Sequence, residues 1–491
     1  METNLYTLLP EIVLLLAALA AMLLGMLKND RLRASAQILA LLGLLAAFGL
    51  ATGFLPGIPA GLVSPLGQFV SVLTAAAGFM AILVAWDMPS TDNPSETDKH
   101  YRAEFYSMLL FSLAGVSMMG KVNDLIWMFM ALELVSIPTY ILVATGRGSI
   151  QAQESAIKYF FLGALAAAIF LFGFSYLYGF AGDTRLASIG TTLMTAINAH
   201  EVPPLATIGI ALAIIGIAYK IAAVPMHFYA ADVYQGAATP VTAFLAFAPK
   251  AAGFVALIQI LGLTQWEFPG LGGQSLIAML TVLAVLTMTV GNTLALMQRN
   301  IKRILAYSSI AHTGYMLVGL VVGPTLIGGD ASRDGIAATL FYLVSYAVVN
   351  LGVFACLIYL QGKPDSAEEV EDLSGISKAH PWTALGMTIC LLSLIGMPLT
   401  FGFWGKLYLI QSAFSAGHSW LAIIMVINAA IAAAYYLRII AAMYLRDPWL
   451  PIVPRKSIPV GIAAVTCSVG VILLGVFPQF ILQWTRVLTL K

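Results

Sequence analysis

YKIAAVPMHFYAADVYQGAATPVTAFLAFAPK, residues 219–250, carries a lysine near each end, Lys220 and Lys250, both set in long apolar runs. Pro225, His227, Asp232 and Pro240 lie between them. An uncompensated lysine at the centre of a membrane-spanning helix costs about 2.5–3.5 kcal/mol, so these side chains must be paired, hydrated or both.

The surrounding chain makes a membrane the right frame. Of 491 residues, 60% are hydrophobic and 10% charged, against about 25% charged in an ordinary soluble domain. Leu5 to Leu27 is long enough to span, and no charged stretch with a small-residue cleavage site opens the chain, so an uncleaved first helix is expected. Runs of roughly 20 apolar residues predict an all-α polytopic membrane protein with about fourteen spans. They fall near 5–27, 35–54, 67–86, 104–120, 123–145, 153–180, 204–225, 239–263, 274–297, 302–323, 335–361, 381–414, 419–445 and 457–479.

Basic residues orient these spans, because loops on the inner side of a membrane are enriched in Lys and Arg. With the N-terminus outside, the inner loops hold Lys28, Arg31, Arg33, Lys99, Arg102, Arg147, Arg299, Lys302, Arg303, Lys363, Lys378, Arg446, Arg455 and Lys456. The outer segments hold only Lys121, Arg185, Arg333, Arg486 and Lys491. Both termini are therefore expected on the outer, periplasmic face.

Two spans are predicted to be broken. Pro225 ends or kinks the seventh just after Lys220, since proline removes a backbone donor and clashes with the preceding turn. The stretch 381–414 is about 50 Å long if straight, and Gly396, Pro398, Gly402 and Gly405 interrupt it, which predicts an unwound turn over 396–402. Broken helices in membranes line cavities, and interruptions at corresponding places in two halves point to an inverted repeat around a transport site. The expected organisation is one transmembrane domain: N-terminal helices in 1–103, a five-helix repeat in 104–263, a second in 274–445, and a last helix with the C-terminus in 457–491.

Glu133, Lys158, Lys220, Lys250 and Lys406 all fall inside predicted spans. Rise per residue puts Glu133 and Lys250 about 15 Å deep, near the midplane, with Lys220 nearer the inner face and Lys406 nearer the outer. Burial favours the neutral amine of a lysine and a neighbouring carboxylate favours the ammonium. A moving Glu133 would thus switch Lys220 between holding and releasing a proton. The competing reading is a static pair that fixes helix packing. Lys158 has Glu154 four residues earlier on its helix face, a local ion pair or a support for the row. His227 and His312, in or beside spans, are candidates for proton relay. His100, His200, His380 and His418 fall in loops or at helix ends, and Arg438, beside Tyr435 and Tyr436, is expected to snorkel to the inner interface.

Other chemistries find no support. Cys356, Cys390 and Cys467 lie in apolar segments with no CxxC pair, which argues against iron–sulfur, zinc or disulfide frameworks. No glycine-rich phosphate fingerprint is present, and nothing sets the facing histidine pair that haem would require. The net charge of +1, without a charged tail, gives no reason to expect nucleic acid.

At this point the motifs carry a family likeness. The order K-x4-P-x-H-x4-D-V-Y-Q-G-A-x2-P from Lys220 resembles the antiporter-like membrane subunits of respiratory complex I, the NADH-quinone oxidoreductase. GNTLALMQRNIKRILAYSSIAHTGYML, 291–317, looks like a second signature of that family. ALELVSIPTYIL around Glu133, ESAIKYFFLGA around Lys158 and GMPLTFGFWGKLYL around Lys406 match as well. A lysine at 406 and a chain that stops soon after its last span favour one of the three related large subunits over the other two.

The resemblance implies two inverted five-helix repeats, Glu133 and Lys220 as a coupled pair, Lys250 as central relay and Lys406 on the exit side. It implies no cofactor or metal on this chain, with NADH, FMN, iron–sulfur clusters and quinone handled elsewhere in the parent complex. The partners implied are other membrane-arm subunits of complex I in a hetero-oligomer, within a bacterial inner membrane. The expected function is proton translocation coupled to quinone reduction in other subunits. An Mrp-type cation/proton antiporter subunit shares the motifs and stands as the alternative; a structural subunit whose charges only hold an assembly together is a third reading.

Overall fold

The computed structural model describes residues 5–27, 29–58, 61–86, 101–146, 149–266, 275–324, 333–362, 367–448, 454 and 457–486. Lys28, Lys99, Arg147, Lys363, Arg455, Lys456 and Lys491, whose charges orient the spans, and His100, expected in a loop or at a helix end, lie outside these residues.

Among the described residues the elements are helical, apart from two isolated antiparallel bridges, Asp124 with Arg185 and Asn300 with Glu369. The helices run α1 (Leu9–Met26), α2 (Asp30–Ala34), α3 (Ala36–Thr52), α4 (Pro65–Val84), α5 (Tyr101–Met119), α6 (Leu125–Thr145) and α7 (Ile150–Ala181). They continue as α8 (Leu186–Asn198), α9 (Pro204–Lys220), α10 (Ala230–Gly236), α11 (Thr239–Leu245), α12 (Ala248–Gly262), α13 (Ser275–Leu296) and α14 (Ile301–Val322). The last are α15 (Gly335–Leu360), α16 (Ile376–Ala379), α17 (Pro381–Ile395), α18 (Phe401–Ser415), α19 (Ser419–Leu445), α20 (Ile458–Val476) and α21 (Gln479–Arg486).

Their ends follow local chemistry. Asp124, Asn300 and Asp334 open α6, α14 and α15, each side chain accepting from a backbone N–H of the first turn. Gly53, Gly182 and Gly396 close α3, α7 and α17 in the left-handed conformation that favours glycine.

Eleven helical segments are long and apolar enough to cross a membrane, and Ala103–Met119, Pro204–Lys220 and Pro381–Ile395 are shorter apolar helices. This is a polytopic helical membrane protein. The apolar stretches of Thr239–Gly262, Ile301–Val322 and Gly335–Leu360 are almost wholly buried, whereas fewer than half of the residues in those of α1, α7, α19 and α20 are. Phe161, Leu165 and Val465 on the outer helices show 59% or more of their surface. Since apolar surface turned outward suits lipid and not water, the central helices α12, α14 and α15 form the interior.

Two basic residues counted as loop charges are buried in ion pairs. Lys302, in the first turn of α14, pairs with Glu368 at 2.9 Å and donates to the Ala237 carbonyl. Lys121 pairs with Glu11 of α1 at 2.7 Å, and Ser71 of α4 and Ser117 of α5 also donate to that carboxylate. An acid six residues into the first apolar run was the visible signal for this cluster, which ties the N-terminal helices to α5. The Arg438 guanidinium donates to the Leu296 and Gln298 carbonyls at the end of α13, a place that suits a cation.

Candidate functional site

Three helix interruptions build the site. α9 stops at Lys220 itself, five residues before Pro225, with Ala222 at φ 55° and α10 beginning only at Ala230. The expected break is present just after Lys220, and within it the Val224 N–H turns to the Thr287 hydroxyl at 2.9 Å. A second interruption was missed in the sequence. Between α11 and α12 the ladder breaks at Ala246 and Phe247, and Pro249, without a donor for the preceding turn, stands beside Lys250. The third, over 396–400 between α17 and α18, is the predicted unwound turn containing Pro398.

Lys220, Lys250 and Lys406 are each buried to within 5% of full burial. Lys220 donates to the Glu133 carboxylate at 3.1 Å and to the Ser136 hydroxyl at 2.5 Å. Both partners sit on α6, one turn apart, just before Pro138. The Glu133 side chain keeps 20% of its surface exposed. Lys220 and Lys250 line one small cavity with Tyr159, Tyr229, Tyr234 and Pro249, which has room for about one water.

Lys250 donates to both the carbonyl and the hydroxyl of Ser309 on α14, and its ammonium lies 5.5 Å from the Tyr346 ring. Lys406 reaches back from α18 to the end of α17, donating at 2.8 Å to the Leu394 and Ile395 carbonyls, with the Tyr315 ring 5.0 Å away. A helix C-terminus carries roughly half a negative charge. The ammonium is thus compensated by backbone where Lys220 has a carboxylate.

Between Lys250 and Lys406 lies α14. One turn beyond Ser309, His312 shares hydrogen bonds with Tyr342 at 2.5 Å through Nδ1 and Tyr436 at 3.1 Å through Nε2, and Tyr436 meets Ser308. The structure therefore brings Glu133, Lys220 and Lys250 together, and places Ser309, His312 and a group of tyrosines between Lys250 and Lys406. Those hydroxyls were not singled out in the sequence, where tyrosines in apolar runs carry no distinguishing pattern.

Lys158 and His227 stand apart from the row. Lys158 is 43% exposed and pairs with Glu154 at 2.7 Å and Asp232 at 3.0 Å. Asp232 also meets Arg303 at 2.8 Å, so this surface network links α7, α10 and α14. His227 lies in the interruption after α9, its ring against Phe228 and its Nδ1 buried without a hydrogen-bond partner.

Interrupted helices around a row of interior lysines, one joined to a carboxylate, define a membrane protein with an ionisable path through its centre. Such a path serves ion or proton movement by default. The chain belongs to the NADH:quinone oxidoreductase/Mrp antiporter transmembrane family, whose model matches residues 122–432. It is 36% identical over 497 residues to a Trichlorobacter lovleyi protein named NADH-quinone oxidoreductase subunit N, covering 98% of this chain and 96% of that one. Among solved structures it resembles a chain of Thermus thermophilus respiratory complex I with bound aureothin, at 30% identity and a TM-score of 0.77, covering 97% and 99% of the two chains. A chain of the Mrp complex from Dietzia shares the fold at a TM-score of 0.82 and 20% identity, over 99% and 96% of the two.

Proposed function

We propose that this chain is the proton-translocating subunit N of a bacterial NADH-quinone oxidoreductase, acting in the inner membrane beside other membrane-arm subunits. Protons enter from the cytoplasmic side, pass Lys220 and Lys250 and leave by Lys406. The observation that carries this reading is the Lys220–Glu133 ion pair opening onto the cavity shared with Lys250. While Glu133 holds Lys220, the ammonium keeps its proton. Lys250 first passes its proton on towards Lys406; when neighbouring subunits then draw the carboxylate away, the Lys220 proton passes through one water to the neutral Lys250 amine, and Glu133 returns as Lys220 is reprotonated. His227 and Lys158 support the inner side, and His312 supports transfer from Lys250 towards Lys406.

Fourteen spans, both termini outside and two inverted five-helix repeats, 104–263 and 274–445, belong to this proposal. Four residue pairs support the repeat. Gly115 and Gly291, Asp124 and Asn300, Ala131 and Tyr307, and Val135 and Ala311 are all separated by the same number of residues. Gly115 packs on the backbone of Ala131 and Val135, and Gly291 on that of Tyr307 and Ala311. Asp124 and Asn300 cap α6 and α14 and each makes an antiparallel bridge to a later loop. The same spacing sets Glu133 against Ser309, so a hydroxyl stands in the second half where the first has its acid.

NADH, FMN, iron–sulfur clusters and quinone are assigned to other subunits, and this chain to none of them. Identity of 36% to a subunit N, against 20% to the Mrp chain, favours the redox-driven reading over free-standing antiport. Purifying the chain in mild detergent tests it: NADH-oxidising, iron–sulfur partners should accompany it. Cation/proton exchange by an isolated assembly without NADH oxidation would overturn it.

A further inference from the structure

We propose that Asn292 is a positioning residue for Lys406, acting through the ring of Tyr315; the inference rests on Lys406 being part of the proton path proposed above.

Asn292 lies on α13 and is fully buried. Its amide nitrogen donates to the Tyr315 hydroxyl at 2.9 Å, the Met288 carbonyl at 2.9 Å and Asn428 Oδ1 at 3.3 Å. Its own oxygen accepts from the Tyr435 hydroxyl at 3.0 Å. Asn428, on α19, is held in turn by donation to the Thr289 hydroxyl at 3.3 Å and the Ile424 carbonyl at 3.0 Å. A buried amide in a membrane core is costly unless its capacity is used. A leucine would fill similar space without that cost, so packing alone does not call for Asn292.

The network ends on the ring that faces the ammonium. Lys406 sits between the α17 carbonyls and Tyr315, whose ring also stands edge-on to His312 with centroids 5.6 Å apart. A tyrosine ring swings about two torsions, and fixing its far hydroxyl fixes the face it presents. Close approach of α13 and α14 makes this reach possible: a Cβ on Gly314 would lie 2.4 Å from the Met288 nitrogen. Asn292 therefore touches neither the lysine nor any transferred proton, but sets the surface against which the ammonium forms and discharges.

A double-mutant cycle in the assembled complex tests this, reading NADH-driven proton pumping in proteoliposomes, its pH profile and complex yield. Asn292→Leu should lower pumping about tenfold at normal yield. Tyr315→Phe keeps the ring and removes the hydroxyl that Asn292 holds. In that background Asn292→Leu should add less than about a twofold further loss. The pH profile should move alike in Asn292→Leu and Tyr315→Leu, which a loss of packing would not produce. Unchanged pumping in Asn292→Leu, fully additive losses, or a loss that only follows complex yield would each overturn the inference. Lys406→Ala is the control: full pumping there would overturn the underlying reading as well, whereas lost pumping there beside a normal Asn292→Leu complex would overturn this inference alone.

Discussion

Lys406 and Tyr315 face one another at 5.0 Å, with no carboxylate against the ammonium among the described residues; its hydrogen bonds go to the α17 carbonyls. The geometry of the break between α17 and α18 therefore carries the compensation that Glu133 gives Lys220. Ser393 sets that break, its hydroxyl accepting from the Gly402 N–H at 2.9 Å. A Cβ on Gly402 would lie 2.1 Å from the Ser393 carbonyl oxygen. Gly402→Ala should destabilise the subunit by about 1–3 kcal/mol through overpacking and lower pumping with it. Thermal unfolding of the purified complex, read beside proton pumping, checks both effects.

Lys250 has two anchors on one residue, the carbonyl and hydroxyl of Ser309. Ser309→Ala removes the hydroxyl and leaves the carbonyl, so pumping should fall about threefold to tenfold, less than in Lys250→Ala. Equal loss in the two variants would show that the hydroxyl holds the lysine alone.

The Glu11–Lys121 pair is a structural matter of the N-terminal helices, with both side chains at least 94% buried. Glu11→Leu strands a buried lysine and should cost about 3–5 kcal/mol. Adding Lys121→Met removes the stranded charge and should restore most of the complex yield. Yield and melting temperature of the single and double variants test this directly.

Lys158 gives the contrasting case. Its pairs with Glu154 and Asp232 are exposed, and such pairs are worth about 0–1 kcal/mol. Lys158→Met should change pumping by less than about threefold, measured in the same proteoliposomes as Lys220 variants.

Much of this arrangement was legible in the sequence, and the reasons are physical. Lysines in apolar runs stand out because water-free burial is costly, so Lys220, Lys250 and Lys406 announced themselves, and the glycine and proline cluster after Ile395 marked a helix that could not continue. Pro225 marked a break just after Lys220, and α9 ends there; what the sequence did not show is the Thr287 hydroxyl that takes up the Val224 N–H beyond the break, a tertiary partner invisible to local pattern. The break before Lys250 was missed since Pro249 is tolerated in a helix's first turn and reads equally well as a start. Lys121 and Lys302 look like loop charges in the sequence because their acids, Glu11 and Glu368, are distant along the chain. The tyrosines and asparagines packed against α14 carried no signal at all: neutral polar residues cost little enough to occur in spans for many reasons, and only their meeting from α13, α15 and α19 gives them meaning.

The central claim is that the ammonium of Lys220, released and recaptured by Glu133, carries protons across the membrane. Reconstituted complex bearing Lys220→Ala, assembled at normal yield and driven by NADH, measures it most directly through acidification of the vesicle lumen. Acidification at a tenth or less of the unaltered rate, with quinone reduction falling alongside it, is the expected result. An assembled Lys220→Ala complex that acidifies the lumen at full rate would contradict it.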